Sequence, residues 1–370
     1  MKILMTADGV GGVWTYVVEL ARGLAPLGVE VVLAVKGGRL TAAQRSAARL
    51  PNVYVYESTF KLEWEPDPWE DLERAGEWLL ALEDLVQPDV IHLNDYIHGD
   101  LPFRAPVLVV GHSCVVSWWE AVRKTELPPA WFRYRNAVRT GIRAAEAVVA
   151  PSAAMLNALE RHYGPLPSGR VIYNGRTLEG GEDAVPRKKL ILAAGRAWDE
   201  AKNVALLSRV ASQLTWPVAL AGETRGARFP GLRRLGSLPS AELATWLRRA
   251  AIFALPVRYE PFGLTILEAA LAGCALVLGD IPSQRELWIG AAELVPPGDA
   301  EALAFTLDRL TRDANLRAAM GAAAKRRAAR YAPDRMAAAY AELYRELASH
   351  ARPWARQAPA ACESSSPATS

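Results

Sequence analysis

The feature of this chain that most constrains its fold is the alternation of short apolar segments with segments of helical periodicity. The candidate strands are residues 2–7, 30–35, 53–58, 89–94, 106–112, 147–152 and 170–174, followed by 189–195, 217–222, 252–257, 275–280 and 292–295. Several of them are apolar almost throughout, as expected for strands that helices cover on both faces. This order predicts an α/β protein with parallel, doubly wound sheets.

A polar segment near the middle of the chain is interpreted as a linker between two domains. Residues 176–189 contain Gly180 and Gly181 and have no apolar periodicity, which is typical of a loop. The chain is long enough for two domains of ordinary size. We therefore expect an N-terminal domain over residues 1–180 and a C-terminal domain over residues 181–332.

The end of the chain is predicted to hold one helix and a tail. Residues 333–350 place Met336, Tyr340 and Leu347 on one side of a helix. Residues 351–370 are rich in Pro, Ala and Ser, so we expect them to be disordered.

Composition restricts the class of protein and its compartment. Apolar residues make up 51% of the chain and charged residues 22%, as in globular proteins with a substantial core. The net charge of +3 gives no reason to expect nucleic acid as a partner. Cys114, Cys274 and Cys362 are widely spaced, which favours a reducing cytoplasm. No apolar stretch approaches the roughly 20 residues that span a bilayer, so at most peripheral membrane contact is expected.

Residues 258–273 carry the strongest functional signal. Glu260 and Glu268 flank a predicted strand-to-helix corner at residues 262–264. The free amides of a helix N-terminus suit a phosphate, and Gly263 lets the backbone come close to it. Carboxylates accept hydrogen bonds from hydroxyls, so a ligand with a phosphate centre and hydroxyl-rich ends, such as a nucleotide sugar, fits both features. The alternative is an amphipathic helix with two solvated acids.

Two further strand ends carry residues suited to phosphate. Gly11 and Gly12 precede a helix, although their spacing is not that of the dinucleotide fingerprint, and tight packing would also explain them. Arg196 and Lys202 follow a strand of the second half, with Asn203 next to them. A planar guanidinium and a mobile ammonium suit a diphosphate, whereas ordinary surface charge is the alternative.

Histidine and aspartate side chains end two strands of the first half. His112 is interpreted as a substrate contact, with a general base or a buried core residue as alternatives. His92 and Asp95 are candidates for the acceptor side of the cleft. The sequence has no D-x-D near a strand end, no H-E-x-x-H and no Cys/His cluster, so no metal or other cofactor is expected.

These segments together resemble the group 1 (family 4) glycosyltransferases of GT-B fold. The segments that carry the resemblance are EPFGLTILEA at 260–269, GRAWDEAKN at 195–203, VIYNG at 171–175, ADGVGGVW at 7–14, LAGE at 220–223, LGSLPSAEL at 235–243 and ELVPPGDAEALA at 293–304. The resemblance implies two Rossmann-like domains that face each other across a cleft, with the last helix crossing back onto the first domain.

The resemblance also implies roles for the cationic and acidic candidates. Arg196 and Lys202 would hold the donor diphosphate as the leaving group. Glu268 would bind the ribose hydroxyls, and Glu260 would contact the donor sugar near its reacting carbon. Asn203 stands where relatives more often have glycine.

The remaining implied contacts are backbone amides and one histidine. The amides of Phe262, Gly263 and Leu264 would bind the sugar and the phosphate, Gly12 would face the phosphate from the other domain, and His112 would contact the sugar hydroxyls. The family acts without a bound metal and retains the anomeric configuration. The expected activity is hexosyl transfer from a nucleotide-diphosphate sugar to an acceptor hydroxyl in polysaccharide, glycolipid or glycoside biosynthesis.

The acceptor and the rival functions stay open at this point. A saccharide, a lipid-linked molecule or a small molecule would each serve as acceptor. Residues 118–146 combine six basic residues with aromatic side chains, which suits sugars, an anionic membrane surface or a solvated basic helix. The alternatives to transfer are another GT-B nucleotide-sugar enzyme, such as an epimerase, and a catalytically silent binding module.

Overall fold

The structure is a computed structural model that describes residues 1–166, 168–180 and 186–350. Part of the expected linker, residues 181–185, and the expected disordered tail, residues 351–370, lie outside the described residues.

The N-terminal domain is one parallel sheet with helices on both faces. Its strands are β1 (Lys2–Asp8), β2 (Glu30–Lys36), β3 (Val53–Glu57), β4 (Val90–Leu93), β5 (Val107–Val110), β6 (Ala147–Ala150) and β7 (Gly169–Val171). Its helices are α1 (Gly11–Leu24), α2 (Ala42–Ala47), α3 (Trp69–Val86), α4 (Val115–Val122), α5 (Phe132–Ala144) and α6 (Ala153–Tyr163). The seven strands have the order β3-β2-β1-β4-β5-β6-β7.

The C-terminal domain repeats this architecture. Its strands are β8 (Lys188–Ala194), β9 (Val218–Ala221), β10 (Leu232–Gly236), β11 (Ala250–Leu255), β12 (Ala275–Gly279) and β13 (Glu293–Val295). Its helices are α7 (Val204–Ala211), α8 (Ser240–Arg249), α9 (Leu264–Leu271), α10 (Pro282–Trp288), α11 (Ala300–Arg312) and α12 (Ala314–Ala328), and the chain continues into α13 (Pro333–His350). The six strands have the order β10-β9-β8-β11-β12-β13 and are all parallel to their neighbours.

The sequence predicted these elements well, with two corrections. Every expected strand is present, but β10 was missed because it is a polar edge strand in which only Leu232 is buried. The expected linker also extends too far, since Lys188 and Lys189 already belong to β8. The two-domain α/β fold itself is confirmed.

The strand orders place a crevice at the same point of each sheet. In the N-terminal sheet β1 lies between β2 and β4, and in the C-terminal sheet β8 lies between β9 and β11. The strand order reverses between β1 and β4 and between β8 and β11, so the loops that follow the two strands of each pair run in opposite directions and leave a crevice between them. Asp8, Asn94, Gly195 and Pro256 therefore lie at the two switch points, where open α/β sheets bind ligands.

The last helix packs against the first domain, as the resemblance implies. Tyr340, Tyr344 and Leu347 of α13 are buried in the same core as α1. The two helices come so close that a Cβ on Gly23 would lie 2.8 Å from the Ala337 Cβ. Cys114 and Cys274 are buried free thiols. Within the described ranges, no helix has both the length and the apolar character that a transmembrane span requires.

Candidate active site

The carboxyl ends of both sheets face one cleft, which contains two adjoining cavities. The smaller cavity has a volume of about 260 Å³ and the larger of about 830 Å³, and both touch Gly11 and Arg196. The predicted site residues that line the smaller cavity are Gly11, Gly12, His112, Arg196, Lys202, Glu260, Phe262, Gly263 and Leu264. Residues from the two domains that are far apart in sequence thus meet at one place.

Several hydrogen bonds join the two domains beside the cavity. The Tyr259 hydroxyl lies 2.8 Å from the Ser117 hydroxyl, and the Trp118 indole N–H donates to Asp199 at 3.1 Å. The Glu286 carboxylate accepts from the first two amides of α6, each at 2.8 Å. These contacts fix the separation of the two walls in this state of the protein.

The cavity holds two cations with different surroundings. The Lys202 ammonium donates to Glu260 at 2.5 Å, and both side chains are 14% exposed. Arg196 donates to Asp199 at 3.2 Å but remains 48% exposed. Because each cation has further N–H groups beyond its one carboxylate partner, both are able to bind an added anion.

Two helix N-termini add backbone amides to the same cavity. In the described structure no side chain caps α1 after Val10 or α9 after Gly263. Gly263 has a φ of +93°, which favours glycine, and lets α9 begin directly at the cavity wall. Uncapped amides and the positive end of the helix dipole stabilise an anion at these positions.

Replacing Gly263 with alanine is expected to strain this corner. The new Cβ would lie 2.7 Å from the Ile266 Cδ1, in addition to the cost of the positive φ. We expect a loss of about 1–3 kcal/mol of unfolding free energy and weaker pyrophosphate binding. Gly290→Ala is the matched control, since Gly290 has a φ of +76° and open space around its Cβ. Equal effects of both variants on pyrophosphate affinity in titration calorimetry would contradict this assignment.

The tautomer of His112 is fixed by a buried amide. Asn94 donates through its Nδ2 to the Thr6 carbonyl at 2.5 Å, so its Oδ1 is an acceptor. The His112 Nε2 lies 2.8 Å from that oxygen and therefore carries the proton. Burial lowers the pKa of His112 to about 3. His112 is thus a neutral ring with Nδ1 available to accept a hydrogen bond from a hydroxyl.

The Glu268 carboxylate, for which the resemblance implies contact with the ribose hydroxyls, is paired with a buried guanidinium. Its carboxylate accepts from the Arg176 guanidinium at 2.7 Å, and Arg176 also donates to Glu19 at 2.8 Å. Burial raises the pKa of Glu268, and the Arg176 charge opposes that rise. Glu268 is not among the residues that line the two cavities. Arg176, assigned above to a polar linker, is in fact buried between the domains.

Two predicted acceptor-side residues lie behind the cleft wall. His92 is fully buried, and its Nδ1 lies 2.6 Å from the Tyr344 hydroxyl of α13. Asp95 is 5% exposed and accepts from Lys36 at 2.8 Å. His92 lies within β4 at the sheet centre and Asp95 follows that strand, so both are buried and the expectation that they line the acceptor side is replaced by a supporting role.

Asn203 also supports the site from behind. It has a φ of +54°, where glycine and asparagine are the residues best tolerated. Its amide donates to the carbonyls of Pro256 and Pro297 at 2.8 and 2.7 Å. Asn203 therefore fixes the loop that carries Lys202, although it does not line either cavity.

Sequence reasoning missed several residues of the cleft. Asp8, Tyr16, Trp64 and Tyr259 line the smaller cavity. Asp8 could have been found from the sequence, because it is a polar residue at the end of the first strand. His112 was found in the same way after another strand. Trp64 had none, since it lies in an irregular segment whose path only the folded chain defines.

Residues 118–146 divide their aromatic side chains between two environments. Trp118 faces the cleft and Trp131 packs edge-on against Tyr134 in the core. Phe132 is 42% exposed, with the Arg135 guanidinium 4.9 Å from its ring centre. The aromatic side chains of this segment therefore do not form one surface.

Two sequence families match this chain. Residues 10–179 match Glycosyltransferase Family 4, and residues 230–327 match Glycosyl transferases group 1. The first match covers most of the N-terminal domain. The second includes the Glu260 corner and α9.

Curated relatives resemble the chain over nearly its whole length. A D-inositol 3-phosphate glycosyltransferase of Streptomyces scabiei is 26% identical, with 90% of this chain and 86% of that protein aligned. A glycogen synthase of Mycobacterium tuberculosis is also 26% identical, over 89% of this chain and 88% of that protein.

Solved structures have the same fold at lower identity. Sucrose-phosphate synthase from Thermosynechococcus elongatus superposes with a TM-score of 0.80 at 19% identity, covering 94% of this chain and 99% of that one. Anabaena HepE in complex with UDP-glucose gives a TM-score of 0.76 at 17% identity, over 94% and 100% of the two chains. Two facing parallel-sheet domains with a shared cleft are the GT-B fold, and both matching sequence families are families of glycosyltransferases. The chain belongs to the group 1 glycosyltransferases.

Proposed function

We propose that this glycosyltransferase moves a hexosyl group from a nucleotide-diphosphate sugar to an acceptor hydroxyl with retention of configuration. The observation that carries the proposal is the meeting of Arg196, Lys202 and the uncapped start of α9 at one cavity beside Glu260. The UDP-glucose complex named for Anabaena HepE supports a donor of this kind. The product would belong to polysaccharide, glycolipid or glycoside biosynthesis.

The proposed step uses these residues to stabilise the leaving group. The acceptor oxygen forms a bond to the anomeric carbon on the face from which the diphosphate departs, and the bond from that carbon to the phosphate oxygen breaks. The acceptor proton passes to the departing phosphate oxygen. Arg196, Lys202 and the α9 amides neutralise the charge that develops there, so we propose that no bound metal is required.

Glu260 and His112 are suited to contact with the sugar. Glu260 accepts from sugar hydroxyls while its second interaction holds Lys202 near the diphosphate. The neutral His112 accepts through Nδ1. A ligand that leaves this buried nitrogen without a hydrogen-bond donor would bind less tightly. A polyol, which supplies hydroxyls, is therefore favoured over an apolar ligand.

A thermal-shift screen tests the donor and the metal together. The enzyme is incubated with UDP-, GDP- and ADP-sugars, with and without magnesium, and the product of any active donor is examined by NMR for its anomeric configuration. One donor should raise the unfolding temperature without magnesium, and the product should keep the donor configuration. A shift seen only with magnesium, or an inverted product, would contradict the corresponding part of the proposal.

His112 is not expected to increase the affinity for the nucleotide as the pH falls. An imidazole with an ordinary pKa of about 6.5 becomes cationic between about pH 7.5 and 5.5 and would attract a diphosphate. Burial holds the pKa of His112 at about 3, so it stays neutral throughout this range. Titration calorimetry with UDP should give the same pH dependence for wild type and His112→Gln. A tightening at low pH that His112→Gln removes would contradict the neutral ring.

Peripheral contact with the inner face of a membrane is a separate part of the proposal. It rests on the exposed Phe132 at the start of α5 and on the neighbouring Arg133 and Arg135. An exposed ring beside cations suits the interface of an anionic bilayer. Sedimentation with phosphatidylglycerol vesicles tests it, because Phe132→Ser should then reduce the bound fraction. Equal sedimentation of both proteins would contradict it.

A further inference from the structure

The wall that the N-terminal domain contributes to the cleft is aromatic and acidic. Trp64, Tyr16 and Asp8 line the smaller cavity, and Glu65 lines the larger. Across the described residues of this domain, no arginine or lysine lines either cavity. The cations of the cleft, such as Arg196, come from the C-terminal domain. The C-terminal wall therefore favours anionic ligand groups, and the N-terminal wall favours neutral or cationic ones.

The buried lysine near this wall does not change its character. Lys36 borders a recess of about 50 Å³ behind the smaller cavity, but its side chain is 1% exposed. Its ammonium donates to Asp95 at 2.8 Å and lies 3.3 Å from the His98 Nδ1. Because that charge is already paired and buried, it offers little to an anionic ligand.

The loop after β3 holds Trp64 at the cavity. Glu63 accepts from the Tyr96 and Ile97 amides at 2.9 and 3.2 Å, and Glu65 accepts from the Leu62 amide at 2.6 Å. Trp64, between these two anchored residues, is 37% exposed. These bonds fix the backbone on either side of Trp64, so a ligand that binds the ring does not have to order the loop.

Asp8 is a carboxylate without a donor. It ends β1 at the switch point of the sheet and lines both the smaller cavity and the recess behind it. No hydrogen bond or ion pair to its carboxylate occurs among the described residues. Burial raises its pKa to about 7, and the Lys36 charge opposes that rise. Above this pH Asp8 is ionised, so a hydroxyl or ammonium of a ligand would satisfy the carboxylate and a phosphate would be repelled by it.

We propose that Trp64 and Asp8 form the acceptor subsite, and that it takes an uncharged or ammonium-bearing sugar or polyol ring rather than a phosphorylated one. This inference rests on the proposed function. The ring would lie on the Trp64 indole and donate hydroxyls to Asp8. The relatives named for D-inositol 3-phosphate and sucrose phosphate would differ from this chain in that respect.

Matched acceptor pairs test the inference. The enzyme and the active donor from the thermal-shift screen are given glucose and glucose 6-phosphate, myo-inositol and inositol 3-phosphate, and glucosamine. Donor hydrolysis without acceptor is measured in parallel. At pH 8, above the Asp8 pKa of about 7, transfer to an unphosphorylated member should exceed transfer to its phosphorylated counterpart by about tenfold or more, since the like-charge contact with Asp8 is absent.

Two variants assign the effect to this wall. Trp64→Ala should raise the acceptor KM about tenfold and more than it raises the donor KM, while Trp64→Phe restores much of the loss. Asp8→Asn should reduce the preference against phosphorylated acceptors. Phe305→Ala is the control, because Phe305 is an exposed ring, 69% accessible, that lines neither cavity of the cleft.

The outcomes separate this inference from the proposed function. Donor hydrolysis with transfer to phosphorylated acceptors only, or to none of the panel, would overturn the acceptor inference alone. An equal rise of donor and acceptor KM in Trp64→Ala would also overturn it, because Trp64 would then belong to the donor site. Absence of binding and hydrolysis with every nucleotide sugar would instead overturn the proposed function.

Discussion

Replacing Glu260 with alanine is expected to lower kcat/KM for transfer by about 10²- to 10³-fold, with little change in stability. The variant removes the carboxylate that lies at the cavity and holds the Lys202 ammonium at 2.5 Å. Because the Glu260 side chain keeps some contact with solvent, at 14% exposure, its loss leaves no large buried void. Initial rates and thermal unfolding measured on the same preparation separate the two effects.

Two further variants complete this test. Lys202→Ala should weaken nucleotide binding about tenfold or more, since it removes a cation from the proposed diphosphate position. Glu293→Ala is the matched control, because Glu293 accepts from Arg309 at 2.6 Å on a surface away from the cleft. Unchanged turnover in both cleft variants would refute the site assignment.

Replacing Arg176 with methionine is expected to destabilise the protein by about 3–5 kcal/mol. The guanidinium is the counter-charge for Glu19 and Glu268, whose side chains are 1% and 11% exposed. Without it, the Glu268 carboxylate loses its cationic partner, and the buried Glu19 keeps the half-exposed Arg22 guanidinium at 3.6 Å and the Thr177 hydroxyl at 2.8 Å. Because Glu19 belongs to α1 and Glu268 to α9, the loss weakens the junction between the domains as well as the local packing.

Denaturant titration measures this effect and its origin. A triple variant, Arg176→Met with Glu19→Gln and Glu268→Gln, should recover much of the stability, since no unpaired charge remains buried. Arg309→Met is the control on a more exposed ion pair and should cost at most about 1 kcal/mol. An Arg176→Met loss no larger than that of Arg309→Met would show that the buried network contributes little.

The elements of the fold were predictable because their signals are local. Strands such as β5 and β12 are covered on both faces, so nearly every residue in them is apolar. The edge strand β10 was missed because Leu232 is its only buried residue, and its two arginines interrupt the apolar pattern. The polar segment after β7 was misjudged at Arg176, because a charge paired inside the protein looks the same in sequence as one in solvent.

The candidate site was predictable to the extent that its residues follow strands. Arg196, Glu260 and His112 were found from their position after apolar segments, and all three line one cavity. His92 lies near the end of β4, but its side chain points into the core, where its Nδ1 contacts the Tyr344 hydroxyl of α13. The direction of a side chain at a strand end depends on which layer covers it, and position in the chain does not give that.

The sequence by itself determined the succession of strands and helices, the two-domain organisation and the group of residues at the strand ends. Those properties follow from hydrophobic periodicity and from the direction of parallel strands, which are encoded within short segments. Only the tertiary structure decided that Arg176 pairs with Glu268, and that Trp64 and Asp8 share a wall facing Glu260. Such pairings join segments far apart in the chain, and they depend on how the chain folds within each domain and on how the two domains face each other.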